Sequence, residues 1–323
     1  MTPDFKIMAA GANITPQIKD RLISLRISDE AGTKSDMLEV TLDDRDGRVE
    51  IPLPGAPILV MLGYSETGIM PMGLFTADEV TVSAPPAQII IRAKAAHLGG
   101  SIKEQKTRSW DKKTIGEIVD TIAGEHKLTP KVAEPFKAIK YEHIDQTDES
   151  DIHFLSRIGR DHDALVSVKG GALLFMARGT GLTVSGLSML PRPVWSKDAA
   201  SWTMTFATRE NWGSVTAQWH DTASAARKEV KAGDAQPTYK LRHIYSSEQE
   251  AQQAADAKLT ETKRGNDTFE VVIPGDPLIA AGGRIVTLGF RPGVDGLWSV
   301  KSVAHELSTS GFITKISTER PNQ

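Results

Sequence analysis

The sequence predicts a mainly β protein with α+β inserts, built from two similar β-barrel domains and smaller α+β domains. Three observations predict this class. Many short segments alternate apolar and polar residues with the period of two that half-buried strands require. Two separate stretches change to helical spacing, and a segment near residue 54 is echoed near residue 274. The length of 323 residues accommodates two or three domains of roughly 100–200 residues each.

The composition of the chain excludes several classes of function. The chain is 40% apolar and 24% charged, which is ordinary for a globular protein. Its apolar runs fall short of the ~18 residues that a membrane helix needs, and Met1–Ala10 lacks the basic-then-apolar layout of a signal peptide. A net charge of −3 argues against nucleic acid as the main ligand. With 0 cysteines, disulfides, thiol nucleophiles and Cys-ligated zinc are excluded.

The first 100 residues are predicted to form the first barrel. Alternation at Leu25 and Ile27, and again over Leu38–Leu42, indicates strands, and the Asp46-Gly47 dipeptide favours a turn after them. Three more strands are predicted within residues 58–64, 74–82 and 88–93.

Residues 101–190 are predicted to form an inserted α+β domain. Apolar residues from Ile115 to Ala123 share one helix face, and Thr114 with Glu117 fits a capping box. A second helix is predicted over residues 149–160, with Asp148 as its N-cap. Gly170-Gly171 separates two apolar runs and predicts a two-residue hairpin.

The second barrel is predicted over residues 191–221 and 268–323. Its strands are expected within residues 201–206, 214–220, 269–273, 284–290, 297–304 and 311–318. Residues 222–267 are predicted to be a helical insertion, because Ser247 and Glu250 can cap an Ala-rich helix that continues to about Lys263.

A repeat connects the two predicted barrels. Three short motifs recur in the same order with loop-like differences in spacing: Pro54–Pro57 with Pro274–Pro277, Leu62–Tyr64 with Leu288–Phe290, and Gly73–Phe75 with Gly296–Trp298. Two similar barrels per chain have a symmetry consequence. A trimer presents six similar barrels in a ring, so a threefold object can dock onto a sixfold one.

Four segments, in this order, resemble the phage late control D family, the hub proteins of contractile tails: 38–48, 110–119, 146–158 and 297–308. This family is similar to the N-terminal part of the type VI secretion spike protein and to the tail hub of T-even phages. The resemblance spans nearly the whole chain.

The resemblance implies a non-enzymatic, homotrimeric baseplate hub of a phage or a tailocin, located in the particle and assembled in the host bacterial cytoplasm. Implied partners are a trimeric tail spike protein and a tail tube or tube-initiator protein. Baseplate wedge proteins and the tape measure protein are further candidates, whereas no membrane and no specific nucleic acid are expected.

Catalytic and binding motifs are weak in the sequence, so no catalytic, cofactor-binding or metal-binding residue is predicted. Residues 179–186 are Gly-rich but lack phosphate-loop spacing. His153, His162, Asp161 and Asp163 could ligate a metal, although surface and capping roles fit their spacing better. His305 and Glu306 point to opposite faces of a strand, which argues against a shared site.

Two alternative functions stay open at this point. A peptidoglycan hydrolase would need two carboxylates at a defined separation, and acidic groups at residues 43–46, 148–151 and 161–163 are candidates, with turn and cap roles as the simpler interpretation. A peptidoglycan-binding protein is the other, since residues 110–128 resemble a LysM module.

Tryptophan is concentrated in one stretch, at positions 195, 202, 212 and 219. Trp202 and Phe206 share strand parity, which predicts that both lie in the barrel core. Use of the tryptophans at an interface is the alternative.

Overall fold

The computed structural model describes residues 1–32, 35–95, 100–179, 190–207, 212–264 and 267–321. The strands of module 1 are β1 (Pro3–Ala9), β2 (Ala12–Asn13), β3 (Leu22–Glu30), β4 (Met37–Asp43), β5 (Pro57–Tyr64), β6 (Gly68–Ser83) and β7 (Gln88–Ala95), with helix α1 (Thr15–Ile18). The strands of module 2 are β13 (Arg192–Trp195), β14 (Ser201–Phe206), β18 (Asp267–Pro274), β19 (Arg284–Leu288), β20 (Gly296–Ser308) and β21 (Gly311–Glu319).

All thirteen strands of the two modules belong to one sheet. Its main path runs β14-β18-β21-β20-β3-β4-β7-β6-β5-β1-β2, while β19 pairs with β20 and with β13. Along the strands, alternate side chains enter an apolar core under each module and the intervening ones face outward. The predicted class, mainly β with two similar β regions and α+β inserts, is confirmed.

Insert A, residues 100–179, packs two helices against short strands. Its elements are β8 (Gln105–Thr114), α2 (Ile115–Glu125), β9 (Thr129–Val132), α3 (Glu134–Lys137), β10 (Lys140–Ser150), α4 (Asp151–Asp161), β11 (Ala164–Lys169) and β12 (Ala172–Ala177). The predicted capping box of Thr114 and Glu117 is present at α2, and Gly170-Gly171 makes the predicted hairpin. The N-cap of α4 is Ser150 rather than Asp148, because the Ser150 hydroxyl accepts the His153 N–H.

Insert B, residues 212–264, is a three-stranded sheet covered by one helix. It contains β15 (Ser214–Asp221), β16 (Ala226–Ala232), β17 (Thr238–Tyr245) and α5 (Glu248–Arg264). The prediction that Ser214–His220 belongs to the second barrel is wrong, since β15 pairs with β16 and β17. The predicted cap of α5 is present, with Ser247 Oγ accepting from the Glu250 N–H at 3.3 Å.

Several strands carry too little hydrophobic alternation to be predicted from the sequence. β8 and β10 carry exposed polar residues along much of their length, and β16 reads Ala-Arg-Lys-Glu-Val-Lys-Ala, so hydrophobic alternation is weak in all three. β1 does alternate, but its two buried residues, Phe5 and Ile7, give too short a pattern to identify it.

The repeat is visible in hydrogen-bond register. β5-β6-β7-β4-β3 and β19-β20-β21-β18-β14 have the same pairing order. The long middle strand of each module carries a bulge against the following strand, at Asp78 in β6 and at Lys301 in β20. Five residues before each bulge lies a glycine with positive φ, Gly73 at 147° and Gly296 at 140°, a conformation that L side chains rarely adopt.

Two parts of the sequence repeat were aligned wrongly. Gly73 lies opposite Val60 and Gly296 lies opposite Thr287, so the counterpart of Leu62–Tyr64 is residues 289–291, one residue later than Leu288–Phe290. The first motif is displaced further. Gly55 and Ala56 bond to the backbone of Ala77 in β6, whereas Gly282 and Gly283 bond to Val300 in β20. The counterpart of the Pro54–Pro57 motif is therefore residues 281–284, and Pro274–Pro277 lies seven residues earlier in its module. The Gly73–Phe75 and Gly296–Trp298 motifs are true counterparts.

Across the described ranges, none of the helices combines the length and the apolar character needed to span a bilayer.

Candidate assembly interface

The two modules of the chain meet edge to edge, and this contact is the most extended interaction between the parts of the fold. β3 pairs antiparallel with the second half of β20, from Ser302 opposite Glu30 to Ser308 opposite Ser24. The Ala31 N–H extends the ladder to the Lys301 carbonyl at 2.9 Å. One sheet therefore continues from module 1 into module 2 through main-chain hydrogen bonds.

Side chains of module 2 also enter the core of module 1. Leu307 and Phe312, on either side of the β20–β21 turn, are buried in the module 1 core. The Phe312 ring lies 5.6 Å from the Tyr64 ring, measured between centroids. The Tyr64 hydroxyl donates to the Gly275 carbonyl at 3.0 Å. The β20–β21 hairpin of module 2 therefore contributes apolar side chains to the core of module 1.

Insert A is attached at the same junction. Lys169, at the tip of its hairpin, forms an ion pair with Asp29 of β3. The second oxygen of Asp29 accepts the Ala281 N–H of module 2 at 2.8 Å, so one carboxylate connects three parts of the chain. Burial and the nearby Asp29 charge raise the pKa of Asp36 to about 7. These groups line a cavity of about 490 Å³ whose wall is otherwise mainly apolar.

A charge network stabilises insert A internally. The fully buried Asp151 carboxylate lies 2.7 Å from Lys106 Nζ and 2.6 Å from Arg108 Nη2. Both cations also reach Glu125 on α2, and His126 Nε2 lies 2.7 Å from Asp151. Burial raises the pKa of Asp151, but the hydrogen bonds from Lys106, Gln146 and His126 outweigh it and hold that pKa below its ordinary value.

Glu125, His126 and Asp151 are close enough to hold a metal ion, with their ligand atoms within 4.8 Å of one another. Lys106 and Arg108 already neutralise both carboxylates. A buried carboxylate with such partners has its charge compensated, so this cluster is an ion-pair network. In the sequence Asp151 is only a member of an acidic run, and the network was not predicted because its cations lie on β8, more than 40 residues earlier.

The residues considered as metal ligands in the sequence do not form one site, because they contact different partners. Asp163 pairs with Arg264 of insert B, and His153 is exposed on α4. Asp161 and His162 line a cavity of about 460 Å³ between inserts A and B. The hydroxyl of Tyr141 lies 2.8 Å from Nε2 of His162, and the hydroxyl of Tyr245 donates to the Asp161 carboxylate at 3.3 Å. Both candidate ligands are therefore already hydrogen-bonded to tyrosines.

Burial shifts the pKa values of Asp161 and His162 in opposite directions, and both shifts favour the neutral form. It raises the pKa of Asp161 to about 6 and lowers the pKa of His162 to about 4, since the charged form of either side chain is costly away from water. Asp161 joins the two inserts through Tyr245, whereas the contact of His162 with Tyr141 lies within insert A.

The other candidates have structural roles. Asp46 binds Arg21 through two 2.7 Å contacts, which fixes the turn after β4. His305 is buried while Glu306 pairs with Lys315 on the opposite face, as the strand parity predicts. The Gly-rich segment is described only at Gly179; residues 180–189 lie outside the described part of the chain.

The prediction of a core position for Phe206 is wrong, because its side chain is 62% exposed. Trp202 contacts Phe290 edge-on, with ring centroids 5.6 Å apart, but is still 41% exposed. Trp195 is exposed as well. These three aromatic residues lie on the β13 and β14 side of module 2, where β14 pairs with β18 alone among the described strands.

Comparison with known proteins identifies the family to which the chain belongs. Residues 77–311 match the family model described as phage tail baseplate hub (GPD). The chain belongs to the phage tail baseplate hub family. Two proteins similar to this hub over 99% of its length are the probable baseplate hub proteins of Escherichia phages 186 and P2, at 32% and 31% identity and with 93% of each relative covered.

Solved structures share the fold of the hub. A tail protein from Neisseria meningitidis MC58 matches with a TM-score of 0.74 at 13% identity, covering 99% of the hub and 97% of that chain. The prophage MuSo2 43 kDa tail protein from Shewanella oneidensis matches with a TM-score of 0.73 at 15% identity, covering 99% of both chains. A type VI secretion component of Escherichia coli matches with a TM-score of 0.55 at 13% identity, over 94% of the hub and 74% of that chain.

Family membership confirms several predictions made from sequence. The protein is a structural component of the tail baseplate rather than an enzyme, and it is located in a phage tail or tail-like particle.

Proposed function

We propose that this hub closes as a homotrimer into a ring that joins the tail tube of a contractile particle to its central spike. Each chain supplies two similar modules, so three chains supply six similar units. Such a ring can contact a sixfold tube on one side and a threefold spike on the other.

The single observation that carries the proposal is the way the two modules pair within one chain. β3 of module 1 is bonded to β20 of module 2. β14, the counterpart of β3, and the outer half of β6, the counterpart of β20, lack such partners among the described residues. A chain built this way has complementary strand edges at its two ends, and unpaired edges are templates for another chain.

The outward face of the sheet fits the wall of a channel in such a ring. A shallow concavity of about 320 Å³ lies on this face across β3, β20, β21, β18 and β14. Charged side chains of this outward face form ion pairs: Arg92 with Glu39 at 2.9 Å and Lys315 with Glu306 at 2.9 Å. Together with a net charge of −3 per chain, this favours a conduit over a DNA-binding surface.

The proposal includes a division of labour along the chain. Modules 1 and 2 form the ring, while inserts A and B project from it and are available to spike, wedge or tape measure proteins. The type VI secretion component of Escherichia coli that shares this fold is itself structurally similar to the T4 tail proteins gp27 and gp5, which supports a place for the hub in the central part of a tail.

Light scattering of the purified hub, alone and with its spike protein, tests the trimer. We expect three times the chain mass of 35.0 kDa, and a ring in electron micrographs. A hub that stays monomeric in both conditions would overturn the proposal.

A further inference from the structure

Hydrogen-bond register allows the two modules to be aligned residue by residue. The bulge residues Asp78 and Lys301 set β6 against β20, which makes Val80 the counterpart of Val303. From these strands the pairings continue through β7 and β21 to β4 and β18. They end on β3 and β14, where Leu25 opposite Val40 corresponds to Trp202 opposite Val271.

With this alignment, the strand pairing observed between the modules predicts how the two free edges would pair with each other. Within the chain, Ser28 of β3 lies opposite Ala304 of β20, with Asp29 opposite Val303 and Ile27 opposite His305. The counterparts on the free edges are three pairs: Thr205 with Thr81, Phe206 with Val80, and Met204 with Val82.

Residues on the free edges are more exposed than their counterparts in the contact between the modules, as expected if a partner strand normally covers them. Leu25, which lies opposite Leu307, is 0% exposed, whereas its counterpart Trp202 is 41% exposed. On the other edge His305 is 1% exposed, whereas its counterpart Val82 is 54% exposed. Isolated apolar side chains at a surface are ordinary, but here both edges expose apolar residues at the positions that the internal contact buries.

The backbone of β6 is available on the same side. The Ala77 amide and carbonyl bond to Ala56 and Gly55, and past this point β6 has β7 as its strand partner in the described chain. In module 2 the equivalent bonds of Val300 to Gly283 and Gly282 are followed directly by the ladder to β3.

We propose, as an extension of the trimeric ring above, that β14 of one hub chain pairs antiparallel with the second half of β6 of a second copy, with Thr205 opposite Thr81 and Phe206 opposite Val80. In this register the β6–β7 turn of the second copy covers Trp202, as the β20–β21 turn covers Leu25 within the chain. The partner is therefore another copy of this chain, and the contact between copies repeats the contact between modules.

Cysteine pairs test the register, because the natural chain contains 0 cysteines. Thr81 and Thr205 occupy outward-facing positions, so the double variant Thr81→Cys/Thr205→Cys leaves the core side chains in place. We expect oxidation of the full-length variant to convert monomer into covalent dimer and trimer on a denaturing, non-reducing gel, with no larger product.

Two matched cysteine pairs serve as the positive and the negative control for cross-linking. Ser28→Cys/Ala304→Cys places the cysteines at the observed internal pair and should form a bond within one chain, seen as loss of free thiol without a change in mass class. Thr81→Cys/Ser201→Cys moves one cysteine four residues, about 13 Å along the strand, and should stay monomeric on the same gel.

The outcomes separate this inference from the proposed function. A hub that is trimeric by light scattering but forms no covalent multimer at Thr81 and Thr205 overturns the register and leaves the trimer standing. Equal cross-linking of the displaced pair also overturns it. A hub that is monomeric throughout overturns both.

Discussion

The substitution Phe312→Ala is expected to loosen the contact between the two modules. Phe312 is 5% exposed, belongs to module 2 in the chain and packs in the core of module 1. Loss of the phenyl ring removes roughly 100 Å² of buried apolar area, about 2.5 kcal/mol at ~25 cal/mol per Å². The cavity left beside Tyr64 adds to this, for a total of about 3–4 kcal/mol.

Amide hydrogen exchange of β3 and β20 measures this loss directly. A local destabilisation of about 3 kcal/mol accelerates exchange on the order of 100-fold, since about 1.4 kcal/mol corresponds to a factor of ten. We expect this acceleration in residues 24–30 and 302–308, the ladder that joins the modules.

Phe175→Ala is the matched control. Phe175 is 0% exposed and packs against Phe136 in insert A, with ring centroids 5.3 Å apart. This variant should destabilise insert A by a similar amount and leave exchange of the β3–β20 ladder unchanged. Equal acceleration by both variants, or no acceleration by Phe312→Ala, would refute the view that Phe312 couples the modules.

Three further predictions concern the edge, the charge network and the cavity between the inserts. Phe206→Asp should weaken chain association by about 2–4 kcal/mol, the range of an interface hot spot, as measured by the concentration dependence of the mass in light scattering. Asp151→Asn should lower the stability of insert A by about 3 kcal/mol, because two cations lose a buried partner; exchange of α4 measures it. Between pH 6.5 and 4, the lowered pKa of His162, about 4, makes stability fall with falling pH, whereas the raised pKa of Asp161, about 6, makes stability rise. Asp161→Asn should therefore steepen the acid loss of thermal stability, and His162→Gln should reduce it.

Each of these has a control and a contradicting result. Ala225→Asp adds the same charge at an exposed position in the β15–β16 turn of insert B, away from the proposed edges, so its mass distribution should match that of the natural chain; equal loss in both variants would count against the edge. Unchanged exchange of α4 in Asp151→Asn would mean that the network contributes little. Parallel pH profiles for the natural chain and both cavity variants would show that neither group titrates as its burial implies.

Local sequence determined the elements whose stability depends on neighbouring residues. The capping box at Thr114, the Gly170-Gly171 hairpin and the Ser247 cap of α5 were predictable, because each depends on side chains a few residues apart. The alternating strands of modules 1 and 2 were predictable because one face of each is buried and the other is not. The order of weak motifs was also enough to identify the family.

Tertiary structure decided which strands belong together. β15 has the same alternating character whether it joins module 2 or insert B, and its pairing with β16 and β17 settles the question. The exposure of Trp202 and Phe206 could not be read from strand parity, since parity fixes the face of a sheet but not whether another strand covers its edge. The contact of Asp29 with Lys169 and Ala281 joins residues up to 252 positions apart, a distance over which local patterns carry no information. The physical reason is common to all three: side-chain periodicity records which face is buried, and only the folded chain records what buries it.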